Sequence, residues 1–442
     1  MAYAVRATTA PSAWLSVGLL VLGLGAGYAS ISHSSLAVAL GALPLALLFF
    51  LRPTWGLVCA VASIPFVRPL IGHEGGAVVV AASDAFFLFV AAGCVPLWLL
   101  TDARLELQNL RPVLWCTAPF FGWLIVLVAA HHSAHSLFKT ATALEMTVLP
   151  LALGATLLTR KSADAVLNGF LVAAAGLALV WLGTGGDSSF AGNKNYAGQL
   201  FAESAILAVV LGSRRANRNL LLPLLVAGLL FASSRGAIVG VTFGLIALLA
   251  IRGLGSWRRT AGTVAILSIM AVLTYNTVPF QVQQRIASIA RFQADSSGAD
   301  ADAGDSLNGS LAYNVRLRTT YRQEGLALAR ENLILGVGVG NYSTGQGTVS
   351  AASDPHNVLI KTAAEQGVPG LLAFAVMTLG SMLVVGRRLG QNPWAGPAIA
   401  MQVATLTHSM VDVYWVRGIP ILGWLLIGMA LNKRLDRSPA TS

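Results

Sequence analysis

Apolar runs of about twenty residues, separated by short polar breaks, fill most of the chain. They fall at roughly 13–32, 35–51, 54–71, 77–100, 112–131, 136–159, 164–183, 197–213, 218–232, 235–252, 260–277, 367–387, 394–413 and 416–433. A helix rises about 1.5 Å per residue, so about twenty apolar residues cross a hydrocarbon core of ~30 Å. None of the runs alternates apolar and polar positions, which excludes a transmembrane β-barrel. The pattern predicts an all-α polytopic integral membrane protein with about 12 (12–14) transmembrane helices. Short or Pro-bearing runs such as 54–71 lower the count toward twelve, because a broken or re-entrant segment need not cross.

One polar stretch, roughly 278–355, interrupts the pattern and divides the chain. Residues 1–277 form a first membrane region, 278–355 a long loop or lid, and 356–442 the last helices with a short tail. Within the loop, Asp295–Ser310 is small, acidic and rich in Gly and Ser, the composition of a flexible segment. Residues 314–332 then read as a helix. Leu317, Tyr321 and Leu328 share an apolar stripe, and Arg318 and Arg322 form an i,i+4 pair on another face. GVGVG (Gly336–Gly340) and Asn341 end it. At the N-terminus the run from about Ala13 is nearly long enough to span, which favours an uncleaved first helix over a cleaved signal.

Composition agrees with the pattern. The 442 residues are 55% hydrophobic and 11% charged, where soluble proteins carry about 25% charged residues. Cys59, Cys94 and Cys116 lie in apolar runs at spacings that fit no metal motif, so they read as packing residues. The net charge of +11 implies no nucleic acid, because membrane topology redistributes Lys and Arg. With the N-terminus placed on the inner side and the spans alternating, 17 of the 29 Lys and Arg fall in inner loops or tails. Both termini are then inside. Of the remaining basic residues, Arg285, Arg291, Arg316, Arg318, Arg322 and Arg330 lie in the long loop. Arg68, Lys139, Lys194, Arg235, Lys361 and Arg417 lie near outer ends of spans. Topology does not ask for outer basic groups, and an anionic substrate at the outer face would explain them.

The chemistry-bearing candidates gather at that outer edge. His356, in SDPHNVLIKTAAEQGVPG (Ser353–Gly370), can take a proton near neutral pH as a general base. Asp354 and Glu365 are near enough in sequence to orient it. The plainer alternative is a helix start, with Asp354 as N-cap and Pro355 in the first position. Arg235, in FASSRGAIVG, opens a helix whose N-terminus favours an anion, with Ser233 and Ser234 as further donors; its plainer role is to reach lipid headgroups. In GNKNYAG (Gly192–Gly198), Lys194 and Asn195 can contact phosphate or sugar hydroxyls and Tyr196 a sugar ring; otherwise this is a turn with an interfacial Tyr. Arg316 and Arg318 can clamp a diphosphate, against the commoner reading of a solvated face. Asp300-Ala301-Asp302 sits in low-complexity sequence and carries little weight. HHSAH (His131–His135) has no nearby carboxylate to complete a metal site. His408 and Asp412 are an i,i+4 pair at an outer helix end, and Glu145 and Glu203 fall within spans, facing the interior.

SSRGA (233–237), NVRLRTTYRQEGLALARENLILGVGVGNY (314–342) and PHNVLIKTAAEQGVPGLLAF (355–374), in this order, resemble the O-antigen ligase family, part of a superfamily with O-antigen polymerases and O-linked oligosaccharyltransferases. SDAFFLFVAA (83–92) and HSMVDVYW (408–415) are weaker echoes, and the specific likeness covers roughly 190–415. The resemblance implies a GT-C-like glycosyltransferase that needs no metal and no cofactor. It would move O-antigen from undecaprenyl pyrophosphate to the lipid A–core oligosaccharide at the periplasmic face of the bacterial inner membrane. It also implies that His356 is the essential His of an HN pair with Asn357, that Arg235 is the SRG arginine, and that Arg316 or Arg318 is the loop arginine. The family often has a Trp about one turn after the loop arginine; here that place holds Tyr321 or Arg322. An O-antigen polymerase, a protein oligosaccharyltransferase and a non-enzymatic glycan transporter are the competing readings. His356, the short C-terminal tail and the absence of evident repeat symmetry favour the ligase.

Overall fold

The structure is a computed structural model that describes residues 49, 52–66, 69–71, 80–100, 107–186, 194–212, 220–252, 306–344, 354–412 and 418–437. The expected spans 13–32 and 260–277, nearly all of 35–51, the Asp-Ala-Asp triplet and most of the acidic loop segment lie outside the described residues.

The described chain is helical apart from one two-stranded ribbon. Its helices are α1 (Pro53–Ser63), α2 (Ala82–Leu100), α3 (Arg111–His131), α4 (Ala134–Thr156), α5 (Arg160–Gly183), α6 (Lys194–Gly212), α7 (Leu222–Ala232), α8 (Arg235–Arg252), α9 (Ser306–Glu331), α10 (Val358–Ala375, continued by a π turn Val376–Gly380 and by Ser381–Gly386), α11 (Ala395–Ser409) and α12 (Ile419–Leu431). The ribbon pairs β1 (Pro69–Ile71) antiparallel with β2 (Val80–Ala81). It corrects the expected span 54–71: α1 stops at Ser63 because Pro65 has no N–H to continue the ladder, and the chain turns into the ribbon.

Four helices among the described residues are long and apolar enough to cross a membrane: Arg111–His131, Ala134–Thr156, Arg160–Gly183 and Val358–Gly386. Local chemistry sets their starts. Pro112 occupies the first turn of α3, Ser133 caps α4 by accepting from Ser136 N, and Thr159 with Ser162 forms a capping box on α5. At the centre, α6 is buried on every side from Tyr196 to Gly212, and its buried Gln199 donates to Glu203.

Glycines bring backbones into contact where side chains would hold them apart. Gly236, Gly240 and Gly244 of α8 form a four-residue repeat against α11. A methyl group on Gly240 would meet Ala404 O at 2.8 Å, and one on Gly244 would meet Ala400 O at 2.9 Å. Gly154 of α4 faces α12 in the same way.

The two ends of the bundle differ. At one end, Arg388 donates to both Asp436 oxygens at 2.7 and 2.6 Å, and Asn392 donates to Asp436 at 3.0 Å. Asn432 Nδ2 donates to Leu158 O at 2.9 Å, and Arg160 donates to Asp436 O. These bonds tie residues 432–437 across the ends of α4 and α10. The opposite end carries the starts of α4, α6, α8 and α10.

Helix α9 begins at Ser306, inside the segment whose composition reads as flexible. Extending an existing helix across Asn308 and Gly309 costs far less than nucleating one there, so the Arg-rich segment propagates backwards.

Candidate active site

The chain enters α10 through Asp354–Asn357. The N-cap is Asn357, not Asp354: its Oδ1 accepts from Leu359 N at 3.0 Å and Ile360 N at 3.1 Å. Its Nδ2 donates to Met410 O at 2.8 Å, fastening the cap to the end of α11. Asp354 instead accepts from the His356 backbone N–H at 2.8 Å and from Lys361 Nζ at 2.6 Å. These bonds hold His356 at φ 45°, in the left-handed region. Such a conformation costs on the order of 1–3 kcal/mol for a residue with a Cβ, and here it aims the imidazole at α11.

The carboxylate that faces His356 is Asp412, with Oδ1 3.2 Å from His356 Nδ1. This corrects the expectation that Asp354 or Glu365 orients the ring. Glu365 is buried farther along α10, where Gly340 N–H donates to it and Lys361 and Lys139 act on it electrostatically. An ionised Asp412 accepts from Nδ1–H, and Nε2 is then the nitrogen left to take a proton. The other oxygen of Asp412 lies 3.8 Å from His408 Nε2. Asp412 therefore sits between two imidazoles, both it and His408 buried.

Helix α9 brings the arginines. It packs on the first turns of α10, where a methyl on Gly325 would meet Ile360 at 2.7 Å and Tyr342 at 3.3 Å. Tyr342 OH donates to Tyr321 O at 2.6 Å, and burial pushes its phenol well above its ordinary pKa. Arg322 Nε donates to Pro355 O at 3.4 Å, one residue before His356. Arg318, one turn earlier, acts electrostatically on Arg235, Arg322, His408 and Asp412. Burial first, and Arg318 second, pull the Arg322 guanidinium below its usual range. The packing face of α9 thus runs through Gly325, Leu328 and Ala329, with Leu328 of the expected stripe packed there, and Arg322 borders it. The sequence pattern puts the Arg318 and Arg322 pair on a separate face because Gly325 has no side chain to mark the contact.

Arg235 opens α8, and Ser234 caps it, its hydroxyl accepting from Ala237 N at 3.4 Å. A methyl on the next residue, Gly236, would meet His408 Cδ2 at 2.8 Å. The glycine stripe therefore sets the start of α8, which Arg235 opens, against His408. Lys194 and Asn195 begin α6 at the same end, with Gly198 of that helix packed on Ser234. Tyr196 does not face a ligand as expected: it is buried, and its hydroxyl donates to Ile64 O at 2.7 Å. The side chain of Arg316 lies outside the described residues.

Beneath the His356 turn, α10 is broken at Gly367, which has φ 68°. The carbonyls freed there find donors elsewhere. Ala364 O accepts from Val337 N at 2.9 Å, Glu365 O from Gly338 N at 3.0 Å, and Gln366 O from Trp123 Nε1 at 2.8 Å. The GVGVG loop is wedged into this break, and its far side is seated on His131 and His135. HHSAH is thus a packing seat for the loop. Among the described residues, no three His, Cys, Asp or Glu side chains gather as metal ligands would. Glu203 lies in the interior as expected, accepting from Gln199 at 2.9 Å and Thr405 at 3.0 Å.

The sequence marks His408 and Asp412 as a pair and Arg322 as part of a helix face, and ties neither to His356. The recoverable signal was HSMVD, a His and a carboxylate one turn apart at an outer helix end. A family model described as O-Antigen ligase matches residues 220–375, a stretch that includes Arg235, α9 and His356. The match supports the O-antigen ligase family for this region. No curated protein matches the chain.

Proposed function

We propose that the chain is an O-antigen ligase: a multi-pass glycosyltransferase that transfers O-antigen from undecaprenyl pyrophosphate to a hydroxyl of the lipid A–core oligosaccharide. The observation that carries this reading is the Asp412–His356 pair, 3.2 Å apart, with Arg318 and Arg235 electrostatically coupled at the same end of the bundle and the family-model match running through it.

The residues divide the work. The acceptor hydroxyl gives its proton to His356 Nε2 as its oxygen attacks the anomeric carbon. The bond from that carbon to pyrophosphate breaks, and its electron pair leaves on a pyrophosphate oxygen. Arg235 and Arg318 stabilise the departing charge, an interaction that strengthens where water is scarce. Asp412 steadies the imidazolium that forms. Arg318 is the loop arginine in this scheme. Lys194 and Asn195 reach for phosphate or sugar from α6, while Asn357 and Ser234 act by capping and hence position His356 and Arg235. Displacement in one step inverts the anomeric centre and asks nothing of a metal. The site faces the periplasm, both termini are cytoplasmic, and about twelve helices span the inner membrane in a GT-C-like arrangement.

The test is ligation in a host lacking its own ligase, with wild type and His356→Ala produced at equal level. A lipopolysaccharide ladder with wild type, and its loss with accumulation of lipid-linked O-antigen in the variant, is expected. A normal ladder with His356→Ala would remove the base. No ladder even with wild type and a suitable donor would bring forward a polymerase or a transporter.

A further inference from the structure

We infer that the segment Leu333–Leu335, between α9 and the GVGVG loop, is immersed in the acyl chains of the bilayer, so that the long loop is tethered to the membrane at its C-terminal end. Three consecutive large apolar side chains stand out from the protein there, Leu333 at 56%, Ile334 at 68% and Leu335 at 41% exposure. Runs of this kind are disfavoured on a surface that faces water.

Their depth follows from α10. The break at Gly367 separates an outer half-helix from the part that can cross. Residues 368–386 span about 28 Å at ~1.5 Å per residue, the thickness of a hydrocarbon core of ~30 Å. Arg387 and Arg388 follow at once, as charges at the far edge should. Val368 therefore marks the near edge. From it, Val368, Leu372, Val376, Leu379 and Leu383 form an exposed stripe at helical spacing, the face that lipid covers.

Leu333 and Ile334 lie against the top of that stripe. Val368 N donates to Leu333 O at 2.8 Å, and Gly367 has no side chain because the carbonyls of Leu333 and Ile334 occupy its place. The backbone of the segment is thus hydrogen-bonded to the span, and its side chains continue the lipid-facing surface. The inference goes beyond the transferase reading and stands whether or not that reading does.

The experiment uses the full chain in phosphatidylcholine nanodiscs, with Cys59, Cys94 and Cys116 replaced by Ala and a nitroxide at Ile334→Cys. Power saturation compares collisions with oxygen, which concentrates in acyl chains, and with a water-soluble nickel chelate. Leu372→Cys is the lipid reference and Arg330→Cys, an exposed position on α9, the aqueous one. The expected result is an oxygen-to-nickel ratio at Ile334→Cys several-fold above that of Arg330→Cys and close to that of Leu372→Cys. A ratio equal to that of Arg330→Cys would place the segment in water and overturn the inference. Low collision with both reagents would also overturn it, because a protein partner or second copy would then cover the segment. Leu335→Cys gives the same readout if Ile334→Cys does not fold.

Discussion

At the scale of single residues, the site depends on how His356 is held. The expected division between base and orienting group makes Asp412→Asn informative. An amide keeps the shape but no longer favours Nδ1–H, so transfer should fall by up to roughly 10²–10⁴-fold, the range of general base catalysis. The loss should appear in kcat more than in KM for the acceptor, measured with purified protein and lipid-linked donor. An unchanged kcat would mean that the 3.2 Å contact only packs the ring. The arginines allow a paired comparison. Arg318→Ala should weaken use of the pyrophosphate donor by about tenfold or more, the worth of a hydrogen bond to a charged group. Arg330→Ala, on the exposed face of the same helix, should leave transfer unchanged. Equal losses would point to general electrostatic attraction by α9 in place of a defined contact.

At the scale of elements, the geometry of the proposed site rests on helix contacts that admit no side chain. Arg235 opens α8, whose next residue Gly236 meets His408, because α8 and α11 approach along Gly236, Gly240 and Gly244. Gly240→Val should force the two helices apart at a cost of about 1–3 kcal/mol. The melting temperature in detergent should fall, and transfer per folded molecule should fall with it as Arg235 is displaced. A lower melting temperature with full activity would separate the stripe from the site. The break in α10 belongs to the same scale. The hydropathy pattern shows only a span beginning near Gly367, and the arrangement of Val337, Gly338 and Trp123 shows the break there and how the freed carbonyls are satisfied.

At the scale of the whole molecule, the two ends do different work. The end opposite the site is closed by the Arg388–Asp436 pair and by Asn392 and Asn432. Asp436→Ala should cost about 1–3 kcal/mol of stability, the range for losing a partner of a charged group, and thermal unfolding would read it. Transfer per folded molecule should stay near that of the wild type, because no part of this network touches the His356 turn. Loss of transfer with no loss of stability would mean that the ends are coupled.

Apolar run length alone determined that the chain is helical and built for a membrane, since burying a backbone in lipid demands internal hydrogen bonds. Residue type determined the candidate chemistry: an imidazole able to titrate, guanidiniums able to hold phosphate, and turn residues around them. The motifs at 233–237, 314–342 and 355–374 carried the family resemblance. What tertiary structure decided is which of these groups meet. Asp412 faces His356 from the turn that follows a helix ending at Ser409, Arg318 arrives on a helix whose contact point is a glycine, and Tyr196 turns into the core to bond Ile64. No local pattern records such pairings, because hydropathy and spacing describe one element at a time. Contacts between elements depend on how closely backbones approach, and here glycines, which carry no hydrophobic signal, set that approach.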